Sequence, residues 1–354
     1  MQSAAQWSAK ELESDQRWIF DLTDTHRDEL LAAIGHAPQG ADLLSLRGQD
    51  FDLGSAWPVI RAAVDEVKFG RGVALLRGLP RDGLDEKSFE LMSWAIGLHV
   101  GVARPQGNAT QYISAVRDAG TTYRSGKGRG YSSNAELDFH TDSADIVFLS
   151  CYNRAASGGM SITTSTLAAY EQMAAEHPHL LDWLHTPIHF SRQGEEAPDE
   201  NPTCLQPVYG RVGEQLFCRW NWNRVNTALQ IPGVAPLADA HREALVKYDE
   251  IVRRPALAHN MWMNPGDVLM VNSHVTLHSR TEFVDDPQPE RKRLMYRLWL
   301  APPDSSRLPD AWRELYRSID AGTVRGGIRG RNHGDACKAY ESQQAAELGM
   351  PSPT

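Results

Sequence analysis

The chain lacks any uninterrupted apolar run of the ~18 residues that a membrane-spanning helix needs, which argues against an integral membrane protein. It lacks a basic amino-terminal stretch followed by an apolar one, so no secretory signal is read and a cytoplasmic location is expected. It lacks a basic excess: 36 Lys and Arg stand against 45 Asp and Glu, a formal net charge of −9, which makes nucleic acid a poor partner. Cysteine is scarce. Cys151, Cys204, Cys218 and Cys337 form no CxxC pair, so neither a disulfide framework nor a zinc site is expected, and buried thiols in a reducing compartment are the plain reading. What is present suits a globular chain: 354 residues, 41% hydrophobic and 23% charged, are enough for one large domain or two modest ones.

The apolar runs are short. Residues 73–76, between Gly72 and Gly78, read as a buried strand, and 146–149, 216–217, 268–271 and 294–300 read the same way. Helical spacing connects Phe89, Met92 and Ile96, and again Leu167, Tyr170 and Ala174 ahead of Pro178. Thr25 resembles the start of a capping box for a helix stopped at Gly35. Asn264-Pro265-Gly266 has the residues of a type II turn. Dispersed strands with helices at intervals predict a mainly β, α+β fold, a sandwich or jelly roll with flanking helices. The expected organisation is a helical and loop extension over 1–65, the core over 66–305 and a helical tail over 306–354. The glycine-rich segment 124–133 reads equally as an exposed loop or an active-site lid.

Chemistry concentrates at a few places. In Leu137-Asp138-Phe139-His140-Thr141-Asp142, residues two apart on a strand share a face, so His140 and Asp142 can aim an imidazole and a carboxylate at one point. His278, in Leu277-His278-Ser279-Arg280-Thr281-Glu282-Phe283, can supply a third ligand from a distant strand. Two histidines and one carboxylate, with positions left open, form the facial triad of non-haem Fe(II) oxygenases. Along Arg293-Leu294-Met295-Tyr296-Arg297-Leu298-Trp299, the arginines share one strand face and can hold carboxylates by bidentate bonds. Gly158-Gly159-Met160-Ser161 permits a tight turn that presents a hydroxyl. Tyr131 and Asn134, just before His140, are candidates for lining a substrate pocket. His274 is a packing residue or a neighbour of the site.

Together these pieces resemble the taurine dioxygenase-like TauD/TfdA family over roughly residues 72–302. The resemblance implies a double-stranded β-helix (a jelly roll, cupin-like) and an oxygenase using Fe(II), 2-oxoglutarate and O2. By the resemblance, His140, Asp142 and His278 match the iron ligands and form the catalytic centre. Arg293 and Ser161 match the residues that hold the far carboxylate of 2-oxoglutarate. Arg297 matches an arginine that contacts an anionic substrate. The sequence departs from the family at Ser279, at Phe139 and in a lengthened gap between His278 and Arg293, which leaves open whether Arg293 or Arg297 holds the cosubstrate, with Arg293 preferred. Asp142 argues against halogenation and for hydroxylation or desaturation, with succinate and CO2 released. A small-molecule substrate is expected, with no nucleic-acid or membrane partner and a homo-oligomer as a base-rate expectation. A zinc hydrolase and a non-enzymatic sensor on the same barrel are the competing readings.

Overall fold

The strand Leu294–Ala301 is buried at every position, so it needs cover on both faces. In the computed structural model, which describes residues 3–37, 40–124 and 130–353, it has that cover. Leu294, Tyr296, Leu298 and Leu300 pack with the helices Ala56–Phe69 and Glu86–Val100. Met295 and Trp299 turn to the opposite face and join a separate apolar cluster.

This strand belongs to a seven-stranded sheet. The order is Ile19–Asp21, Val73–Arg77, Val268–Asn272, Ile146–Asn153, Leu294–Ala301 and Val102–Ala103, with Ile113–Val116 also pairing along Leu294–Ala301. Only the first pair is parallel. A second, four-stranded antiparallel sheet runs His259–Met261, Ser161–Ser165, Thr276–Arg280 and Leu137–His140. Neighbours in both sheets come from remote parts of the chain, which is how His140 and His278 become partners. On the smaller sheet Phe139 and Leu277 pack outward among residues of the helices Thr166–Glu176 and Asp239–Val252. Strand alternation then turns His140 and His278 the other way, towards the larger sheet. Apolar residues of the larger sheet (Val73, Leu75, Val147, Leu269 and Val271) meet Met261 and Met263 in the space between.

Local signals hold with one shift. Ser165 caps the helix Thr166–Glu176, which ends before Pro178. The first long helix is Asp24–Gly35, capped by Thr23 rather than Thr25, because the Thr23 hydroxyl reaches the His26 N–H. All four cysteines are buried and free. Among the described residues no helix is long and apolar enough to cross a membrane.

Both ends of the chain are tied into the core. Ile19–Asp21 extends the larger sheet, and Trp312, Tyr316 and Ile319 pack in the cluster beneath the smaller one. Arg325 donates to Asp145 at 2.6 Å, and His274 Nε2 meets the same carboxylate at 2.9 Å. His274 is therefore a packing partner of Asp145. Burial opposes ionisation of Asp145, but the Arg325 charge and the His274 bond outweigh it, and its pKa is held down to about 2. Arg325→Met strips this buried carboxylate of its cation and is expected to cost about 3–5 kcal/mol in denaturant unfolding. Because the folded pKa lies below the unfolded value of about 3.9, the stabilisation is full above that pH and fades as pH falls towards 2.

Candidate active site

His140 closes the strand Leu137–His140, and His278 sits opposite it on Thr276–Arg280. Asp142 lies in the turn that follows His140. One ligand atom from each of the three falls within 4.8 Å of the others. His140 Nε2 is 3.9 Å from Asp142 Oδ1, and His278 Nε2 is 3.6 Å from Oδ2. These separations are too long for hydrogen bonds, so three lone-pair donors converge without satisfying one another. His140 Nδ1 lies 2.8 Å from the Asp138 carbonyl, an acceptor, which makes Nδ1 the protonated nitrogen and leaves Nε2 free to ligate.

The electrostatics agree with a ligand set. Burial, together with the neighbouring His140, pushes His278 down to about 3, and burial lowers His140 as well, so both imidazoles are neutral at pH 7. Burial disfavours the Asp142 carboxylate. The Arg297 charge, the two histidines and the bond from Trp299 Nε1 at 2.9 Å prevail and hold it far below the usual carboxylate range. Two neutral imidazoles and one ionised carboxylate fit a divalent iron and leave further positions open.

A clamp from a distant turn fixes the loop that carries Asp142. Arg219 donates to Thr141 Oγ1 at 2.8 Å, to the Thr141 carbonyl and to Ser143 Oγ at 3.0 Å. The Thr141 N–H donates to the Trp220 carbonyl at 2.8 Å. Arg219→Met frees this loop and is expected to weaken iron affinity about 10–100-fold, the usual cost of losing a residue that orients a ligand. Competition with a chelator measures it.

The two candidate arginines part company. Arg293 lies against the turn at Gly158 and Gly159, both at positive φ (69° and 77°). A Cβ on Gly158 would meet the Glu282 carbonyl at 2.1 Å, and one on Gly159 would sit 3.4 Å from Arg293 Nε, so glycine permits the close approach. The Arg293 guanidinium lies 5.1 Å from the Phe283 ring centre and donates to Met295 Sδ at 3.1 Å and the Val116 carbonyl at 3.4 Å. Ser161, two residues beyond the glycines, donates to Met263 Sδ at 3.3 Å. Arg297 instead reaches Asp142 at 3.6 Å and donates through Nε to Gln106 at 2.9 Å. Its guanidinium lies between Tyr131 and Trp299, 5.3 and 4.7 Å from their ring centres.

One cavity between the sheets gathers His140, Asp142, Ser161, His278, Arg293 and Arg297, with Tyr131 on its wall. Asn134 is not among its lining residues. It is exposed, and its backbone carbonyl accepts from the Phe283 N–H at 3.1 Å before the strand begins at Leu137. Of the glycine-rich segment 124–133, Gly130 and Tyr131 line the cavity, while residues 125–129 lie outside the described residues. The cavity also takes in residues the sequence left without a role: Gln106, Arg219 and Arg280. The segment Trp220-Asn221-Trp222-Asn223-Arg224 divides. Trp220 is core, whereas Asn221, Asn223 and Arg224 line the cavity.

A two-histidine, one-carboxylate cluster between the two sheets, flanked by buried arginines, is a donor set suited to a non-haem iron oxygenase. The chain belongs to the taurine catabolism dioxygenase TauD, TfdA family, which it matches over residues 17–299. It is 29% identical over 311 residues to the FR-33289 synthase of Streptomyces rubellomurinus, covering 86% of this chain and 91% of that protein. Its fold resembles asparagine oxygenase solved with Fe(II), 2S,3S-3-hydroxyasparagine and succinate (TM-score 0.60, 18% identity, 80% of this chain and 93% of the other). It also resembles the non-haem iron oxygenase OrfP solved with Fe and alpha-ketoglutaric acid (TM-score 0.58, 15% identity, 86% and 99%). The protein is an oxidoreductase, an Fe(II)- and 2-oxoglutarate-dependent oxygenase acting on a small molecule, which sets aside the hydrolase and sensor readings.

Proposed function

We propose that the protein hydroxylates an unactivated C–H bond of a small anionic molecule, on a double-stranded β-helix spanning residues 66–305 with the 1–65 extension and the 306–354 tail packed on it. The observation that carries this reading is the convergence of His140, Asp142 and His278 in a cavity that also holds Arg293 and Ser161. His140, Asp142 and His278 would hold Fe(II), which would supply the coupling of O2 reduction and 2-oxoglutarate decarboxylation to oxidation of the substrate.

The chain's own residues bind and orient. Arg293 and Ser161 take the far carboxylate of 2-oxoglutarate, at the glycine turn. Arg297, held by Gln106 and beside Asp142, faces the substrate's anionic group, and Tyr131 forms part of the wall. Leu149, Val116 and Trp299 exclude water from the space between. Four buried free thiols accord with action in a reducing cytoplasm.

The test is stoichiometric. Iron-loaded protein in air converts 2-oxoglutarate slowly to succinate and CO2, and a panel of small carboxylates, sulfonates and other anions contains compounds that accelerate this and gain one oxygen atom. Acceleration by cations or neutral compounds alone contradicts the anionic assignment.

A further inference from the structure

Arg280 is unexplained by the roles above. It lies on the strand Thr276–Arg280, opposite Ser161 in register, and lines the same cavity as Arg293. Both arginines are 3% exposed. Both approach one aromatic ring, with the guanidinium carbons of Arg280 and Arg293 at 4.5 and 5.1 Å from the centre of Phe283. Neither has a carboxylate within 4.0 Å among the described residues, although most other buried arginines do. Arg280 Nη2 donates to the Ser133 carbonyl at 2.9 Å and to the Ala135 carbonyl. Its Nε and Nη1, and Arg293 Nε, are buried without a hydrogen-bond partner among the described residues.

We propose that Arg280 is a second guanidinium for the far carboxylate of 2-oxoglutarate, acting beside Arg293 and Ser161; this rests on the cosubstrate assignment under Proposed function. Two like charges buried about one ring, with no carboxylate beside either among the described residues, are costly to keep, and one anion placed in the cavity they both line attracts each of them. A carboxylate offers about four lone-pair sites, enough for donors from two arginines and a serine. Bonds to the Ser133 and Ala135 carbonyls account for one nitrogen of Arg280; they leave its other two nitrogens, with three N–H groups, and its charge without a purpose. A carboxylate answers both.

The test separates contact from scaffolding. Iron-loaded protein is titrated without oxygen, using 2-oxoglutarate and 2-oxopentanoate, which has the same chain but no far carboxylate. Arg280→Met is expected to raise Kd for 2-oxoglutarate about 10–100-fold, the range for a bond to a charged group, while Kd for 2-oxopentanoate stays within about twofold. Arg280→Gln retains a donor for the Ser133 and Ala135 carbonyls, and the same selective loss is expected from it. Unchanged 2-oxoglutarate affinity in both variants overturns the proposal, as does equal weakening of both ligands, the mark of a structural role. If the wild type itself does not prefer 2-oxoglutarate over 2-oxopentanoate, the cosubstrate assignment fails first and takes this proposal with it.

Discussion

His278→Ala protein is expected to fold and to lose its iron. Two donors remain in the variant, His140 and Asp142, and Asp142 keeps Arg297 at 3.6 Å and the Trp299 bond at 2.9 Å as local partners. The carboxylate can then settle into its ion pair with Arg297 instead of binding a metal. Loss of a residue that merely orients a ligand costs about 10–100-fold in metal affinity, so loss of the ligand itself should exceed 100-fold. The fold has less at stake. His278 is neutral when buried, and its Nδ1 has no hydrogen-bond partner among the described residues, so truncation breaks no bond at that nitrogen there. The measurement is bound iron per chain after anaerobic loading and desalting, beside circular dichroism of the same sample. Full iron occupancy in a folded variant would remove His278 from the ligand set.

Arg293→Met has the second large effect, and it runs in opposite directions for binding and stability. Burial pulls the Arg293 pKa down to about 10, and burial with the Arg293 charge pulls Arg280 to about 9, so both are cationic at pH 7. Removing one partner of a buried charged hydrogen-bonded pair costs about 2–5 kcal/mol, which predicts a rise of roughly 30- to 5000-fold in Kd for 2-oxoglutarate. Among the described residues, however, the Arg293 guanidinium has only a thioether and a long bond to a carbonyl as hydrogen-bond partners, with the Phe283 ring beside it. Methionine relieves that burial cost and a repulsion with Arg280. The melting temperature of the free variant is therefore expected to equal or exceed that of the wild type, as where a binding site is kept at the expense of stability. Calorimetric titration and thermal unfolding of one preparation measure both. A variant that unfolds earlier and binds 2-oxoglutarate normally would show Arg293 to be structural.

The parts of the site legible in the sequence are those encoded by alternation along a strand. His140 and His278 face inward because Phe139 and Leu277 beside them are core residues, and a period of two can be read directly. The same period put Arg293, Arg297 and Trp299 on one face of a strand, and all three line the cavity. Irregular backbone was less readable. Asn134 precedes the strand by three residues, where alternation does not yet apply, and its side chain turns to solvent. Gln106 and Arg219 enter the site from loops whose position depends on long-range packing, with no local pattern to mark them. Arg280 was in plain view within the distal motif. Its two buried nitrogens without a bond, and the lack of an acidic partner among the described residues, show only in three dimensions. Nor does composition reveal that Ile328, beyond the core strands, reaches the cavity wall.

The central claim is that His140, Asp142 and His278 hold an iron to which 2-oxoglutarate is delivered by the arginine-lined end of the cavity. Anaerobic addition of 2-oxoglutarate to iron-loaded protein tests it most directly. The account predicts a visible metal-to-ligand charge-transfer band in the wild type, appearing only at much higher ligand concentration in Arg293→Met and absent in His278→Ala. A folded, iron-loaded wild type that develops no band at saturating 2-oxoglutarate would contradict it.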